Sequence, residues 1–227
     1  MRNLTNLTLC KRRKTAVTLI FLLLIVLKGF SQENDWGSWM DVDVMRKINS
    51  ASFGLMGEFY TKNQLQSIER MSIGAKGEYA FTPAVSCGAG YLLMNYFKTG
   101  YHEYRNRLYA QTEYKKNISR LTFGLRERMQ FTFYPETKDH LSETCAYWRN
   151  RFKIEYKNSQ WKIEPVADIE TFYLTGKSNQ NGFDETRYSA GINIKVSGIQ
   201  KLKVYGLLSD THAEHFYVIG LDYSLKL

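Results

Sequence analysis

Arg105, Arg107, Arg126, Arg128, Arg149, Arg151, Lys153 and Arg187 all stand on one parity of alternating runs in the chain, and Glu113, Glu155, Glu164, Asp168 and Glu170 share that parity. Alternate residues of an extended strand point to one side, so these charges are expected to line a common face. Two kinds of chemistry follow. Arginines around a wet passage would select small anions, as charged rings do in pores. Arginines interleaved with carboxylates would instead pair across strands and fill a narrow interior as a salt-bridged plug. The residues named above are therefore candidates to line a lumen, and the sequence leaves both fillings open.

A second group of residues raises the question of catalysis. His102, His140, His212 and His215 fall in or beside expected connections, and Ser209, Asp210, His212, Glu214 and His215 lie close together. A nucleophile, a base and an orienting acid are the types that an outer-leaflet lipid-modifying enzyme would need. Short polar connections contain the same residues because they must turn, so no catalytic residue is assigned and a non-enzymatic protein is expected. Two neighbouring histidines are too few to define a metal site. Cys87 and Cys145 have no metal-like spacing, and Gly74, Gly77, Gly88 and Gly90 form no phosphate-binding fingerprint. No metal or cofactor is expected.

The elements that must position the charges are strands. In YWRNRFKIEYK, residues 147–157, Trp148, Phe152, Ile154 and Tyr156 alternate with Arg149, Arg151, Lys153, Glu155 and Lys157. The pattern recurs clearly over 66–79, 103–116, 119–133, 160–174, 185–196 and 217–227, and more weakly over 36–46, 51–61, 84–97 and 201–208. So many half-apolar strands share one core only if they close on themselves. The expected fold is all-β, a transmembrane antiparallel up-and-down β-barrel. Eleven runs cannot alternate around a closed ring, so twelve strands are favoured and ten are possible. Short connections near 47–50, 80–83, 117–118, 158–159 and 197–200 alternate with longer ones near 98–102, 134–143, 175–184 and 209–214, the asymmetry of periplasmic turns and external loops. The connection near 62–65 is short for its place in that series.

Four acid–tyrosine steps, Glu78–Tyr79, Glu113–Tyr114, Glu155–Tyr156 and Asp222–Tyr223, end downward strands. Each would turn its acid to the lumen and its ring to the membrane interface. Asn106, Glu127 and Asn150 run against the pattern, since they share the apolar parity. A soluble β-sandwich or lipocalin-like barrel would also alternate, but it would not need aromatic residues at membrane-height spacing.

The first 31 residues hold six basic residues and no acid, with an apolar run over 15–27 and small residues before Gln32. They read as a cleaved signal peptide, 1–31, leaving a barrel of 32–227 in the outer membrane. Cys10 lies in this leader. Without the leader the chain keeps 25 basic and 22 acidic residues, a net charge of +3, so nucleic-acid binding loses its support. A mean hydropathy of −0.40 is compatible with a barrel, which needs apolar residues only at alternate positions.

YRNRLYAQTEYKKN at 104–117 and WRNRFKIEYKNS at 148–159 resemble one another and a signature of the domain-of-unknown-function family 2490. WGSWMDVDVMRKIN at 36–49 and HFYVIGLDYSLKL at 215–227 are similar to the ends of that family. The resemblance implies an outer-membrane β-barrel of Gram-negative bacteria and carries no activity, ligand or catalytic set. Leu227 departs from the aromatic residue with which many barrels end. The expected partners are outer-membrane lipid and, during insertion, the barrel-assembly machinery. The functions in view are a narrow passive channel for small polar or anionic solutes, a plugged structural or adhesive barrel without transport, and a lipid-modifying enzyme.

Overall fold

Period-two alternation becomes strand along the whole described chain. The computed structural model describes residues 35–135, 143–158, 160–175, 181–211 and 214–227. Eleven strands follow one another among them: β1 Trp36–Ile48, β2 Ala51–Lys62, β3 Ser67–Ala80, β4 Val85–Lys98, β5 Tyr101–Ile118, β6 Leu121–Tyr134, β7 Glu143–Tyr156, β8 Ile163–Leu174, β9 Gly182–Lys195, β10 Gln200–Thr211 and β11 His215–Lys226. The proposed leader, residues 1–31, lies outside the described residues.

Each strand pairs antiparallel with the next, and β1 closes the barrel against β11. The closing pair is parallel, running from Trp36 opposite Tyr217 to Met45 opposite Lys226. Eleven strands, and not twelve or ten, form the ring. Ten reversals leave the first and eleventh strands pointing the same way, so an odd ring must contain one parallel pair, and the expectation of antiparallel pairing throughout fails at that seam. Strands about 4.8 Å apart and tilted by about 40° close such a ring about 20 Å across.

The two faces of the wall are opposite in character. Outside, Met40, Phe53, Ile73, Leu93, Leu108, Leu125, Phe152, Ile169 and Ile219 are exposed around the ring. An apolar belt of this extent is a liability in water and suits a bilayer. Tyr79 and Tyr114 are exposed with it, while their acidic neighbours Glu78 and Glu113 face inward on the cavity.

The turns are set locally. Asn49 and Ser119 take positive φ in two-residue hairpins, and Gly100, at φ 84°, closes β4–β5 in two residues where a longer connection was expected. On the inner face, Gly220 lies opposite Tyr205 and Gly90 opposite Tyr109. A Cβ at either glycine would collide with the tyrosine ring. Both rings therefore lie against the wall over these glycines.

Candidate functional site

Two like-charged rungs cross β6 and β7: Arg126 stands opposite Arg151, and Arg128 opposite Arg149. Such opposition is unfavourable unless something neutralises it. Glu170 on β8 does so in part. Its Oε1 accepts from Arg126 Nη2 at 2.6 Å and from Arg149 Nε at 3.1 Å. Arg149 also donates to Gln130 Oε1 at 2.6 Å, and its guanidinium stacks 4.2 Å from the Phe172 ring centre. All three members of this triad are buried.

Three further arginines of the β5–β7 wall are less well paired. Arg128 donates twice to one amide oxygen, Gln111 Oε1, at 3.0 and 2.6 Å, and lies 4.1 Å from the Tyr109 ring centre. Arg151 approaches Glu113 only to 4.0 Å. Arg107 borders the same cavity, and its enclosed Nε has no hydrogen-bond partner. On β9, Arg187 is fully engaged, by Glu185 at 2.6 and 2.9 Å and by stacking on Phe172 and Trp39.

One cavity of about 540 Å³ collects most of the sequence-derived candidates. Arg107, Arg126, Arg128, Arg149, Arg151, Arg187, Glu113, Asp168 and Glu170 border it. Arg105, Lys153, Glu155 and Glu164 do not, because they lie nearer the barrel ends. Arg105 is held by Glu103 and between Tyr96 and Tyr134. At the end that carries the carboxy terminus, Glu155 is bound by Lys201 at 2.8 Å and Glu164 by Lys195 at 2.6 Å.

The opposite wall carries charges that are not among the named lumen candidates, although the acid–tyrosine steps turn Glu78 and Asp222 inward. Asp41 and Asp222 border the cavity and stand opposite each other across the parallel seam. Glu58 stands opposite Asp41 on the other side, and Arg70 holds it at 2.9 Å. Lys76 holds Asp43 at 2.7 Å. The signal is faint: Arg70, Lys76 and Glu78 share the charged parity of the clear run over 66–79, whereas β1 and β2 alternate weakly. In all, nine Lys and Arg face eleven Asp and Glu among the described lining residues, so the wall is charged in patches and nearly balanced in total.

These bonds run around the wall and do not cross the bore. Among the described residues, the longest links are Lys201 to Glu155, Tyr109 to Met56 and Arg187 to Trp39, each three strand positions apart in a ring of eleven. A contact across the centre would join strands five positions apart. The hydrogen-bonded network thus runs along the wall of the cavity.

Among the described residues, the outer rim does not assemble the catalytic set. Ser209 is buried and its hydroxyl donates inward to Glu185. Asp210 and His215 form an exposed pair, Oδ1 to Nδ1, at 3.2 Å, one residue on along β10 and so on the other face of the wall. His140 and His212 lie outside the described residues. Cys87 and Cys145 are not joined by a disulfide, and no group of three metal-ligating side chains occurs among the described residues.

The polar residues of the apolar face bond to one another. Trp148 Nε1 donates to Glu127 Oε2 at 2.7 Å, and Asn150, with its amide nitrogen turned toward that carboxylate, donates to Oε1 at 2.8 Å. Tyr91 donates to Asn106 at 2.6 Å.

A family model described as protein of unknown function (DUF2490) matches residues 36–214. No curated protein matches the chain. Among solved structures, the NanC porin in a rhombohedral crystal form is similar with a TM-score of 0.52 and 13% identity, covering 85% of this chain and 99% of that one. The β domain of the Bordetella autotransporter BrkA gives a TM-score of 0.46 and 9% identity, covering 80% of this chain and 84% of that one.

Proposed function

The chain belongs to the DUF2490 family, and we propose that it is an outer-membrane β-barrel acting as a narrow passive channel for small polar or anionic solutes. Residues 1–31 would direct export and be removed, and the barrel-assembly machinery would insert the remainder. The exposed apolar belt supports a bilayer environment. The observation that carries the channel reading is the cavity whose charge network runs along the wall while Arg107, Arg128 and Arg151 keep donor capacity toward it. Lumen charges tune selectivity where water reaches them. The similar solved structure is itself called a porin, which accords with this reading.

The test is reconstitution of the mature chain, with heat-modifiable gel migration and planar-bilayer recording on the same sample. Current steps are expected, with a reversal potential in a KCl gradient displaced toward chloride. A heat-shifted band without current would remove the channel. It would leave the plugged structural barrel, a reading favoured by the near balance of lining charge and by the clamp of Glu170 on two arginines.

A further inference from the structure

Five charges around the cavity are under-paired, and they fall on facing walls. On β5, β6 and β7 these are Arg107, Arg128 and Arg151, with an unpartnered Nε, a single amide oxygen and a carboxylate at 4.0 Å as their respective lots. On the seam strands they are Asp41 and Asp222. Each has an enclosed Oδ1 without a hydrogen-bond partner, and the ammonium of Lys203 comes no closer than 4.0 Å to Asp222. β6 lies five positions from both β1 and β11 around the ring, so the two sets oppose each other across one cavity.

Enclosed charges without partners are unfavourable unless water or a ligand completes them. A simple anion would satisfy the arginines and be repelled by the aspartates, and a simple cation would meet the reverse. A molecule with both charges satisfies both walls when its acidic group turns to β6 and its amine to the seam. Charge patches of opposite sign also orient such a dipole on entry. The aspartates are not part of a metal set, since no group of three ligands gathers there among the described residues. Their remaining acceptors suit an ammonium group, which brings three donors.

We propose that the cavity is selective for small zwitterionic solutes, bound with the acidic group at Arg107, Arg128 and Arg151 and the amine at Asp41 and Asp222. The inference rests on the channel reading and narrows it to a solute class.

Influx into vesicles carrying the mature barrel tests it with three probes: taurine, isethionate, which replaces the amine of taurine by a hydroxyl, and choline. Each rate is divided by that of erythritol, a neutral solute that reports an open bore. Taurine is expected to enter at least fivefold faster than either single-charge probe. Asp41→Asn with Asp222→Asn should bring isethionate level with taurine or ahead of it, and Arg128→Gln with Arg151→Gln should lower taurine and isethionate together. Equal rates for taurine and isethionate in the unaltered barrel would overturn the proposal while the erythritol influx kept the channel. A taurine preference that survives loss of both aspartates, in protein that still shows heat-shifted migration, would also overturn it. Exclusion of erythritol would remove the channel and this inference with it. The wild-type comparison needs no variant to fold.

Discussion

Among the strand pairs of this barrel that set like charges face to face, β6–β7 and the β1–β11 seam treat the conflict differently. On β6–β7 two arginine rungs are adjacent, and Glu170 and Gln130 are drawn in to neutralise them. On the β1–β11 seam Asp41 opposes Asp222, and no basic side chain comes within 3.5 Å of either among the described residues. The arginine pair sits between antiparallel neighbours whose charged faces alternate strongly, so a carboxylate two strands away is in register to answer it. The seam is the place where the ring closes parallel, between the weakly patterned β1 and the clearly alternating β11. Conflict resolved inside the wall makes a brace, and conflict left open on the cavity makes a binding surface.

The largest effect should come from removing the answer to the arginines. Glu170→Ala leaves Arg126 and Arg149 enclosed, facing Arg151 and Arg128 across β6–β7. Breaking a buried pair by deleting one partner costs about 3–5 kcal/mol. Urea unfolding in lipid vesicles, followed by heat-modifiable migration, should register a loss of that size. A loss below about 1 kcal/mol, the range of an exposed pair, would mean that water already screens the arginines, and the brace would be no different from the seam.

The brace was also the part of the molecule most legible beforehand. Parity alone put Arg126, Arg128, Arg149, Arg151 and Glu170 on one face, because outward neighbours such as Leu125, Met129, Trp148, Phe152 and Ile169 are large and apolar. Parity could not supply axial height, so Arg105 and Glu164 entered the same group as residues well along the barrel from them. It also failed where the outward face is small or interrupted. Gly54 and Gly57 break up β2, and the lumen acid Glu58 beside them was passed over. Strand number was misjudged for a different reason: a parallel closure leaves no mark in local alternation, and only the pairing of the first strand with the last reveals it.

The same two strands offer a contrast between their inner and outer faces. Glu127 and Asn150 stand opposite each other between the two arginine rungs, on the apolar side. A carboxylate there gains little from the lumen and is unfavourable in hydrocarbon. Replacing Glu127 and Asn150 together avoids stranding either of them, at the loss of the exposed Trp148 indole's hydrogen bond to Glu127. Glu127→Leu with Asn150→Leu is expected to raise stability in vesicles by about 1 kcal/mol, as measured by the same unfolding assay. A loss would indicate that Glu127 offsets the arginine rungs through the wall, and the brace would then have two answers instead of one.

The smallest effect should come from the seam itself. Asp41→Asn keeps the shape of the side chain and removes the charge that faces both Asp222 and Glu58, and relief of a like-charged cross-strand pair is worth about 0.2–1 kcal/mol. The variant should therefore unfold at a slightly higher urea concentration than the unaltered barrel, the reverse of the effect at Glu170. The sign matters more than the size. Asp41 has an enclosed oxygen without a partner, so deleting its charge removes a conflict and no bond. Destabilisation by Asp41→Asn would mean that a cation from solution already bridges Asp41 and Asp222, and the seam would then be a second brace, neutralised from outside the chain where the first is neutralised from within.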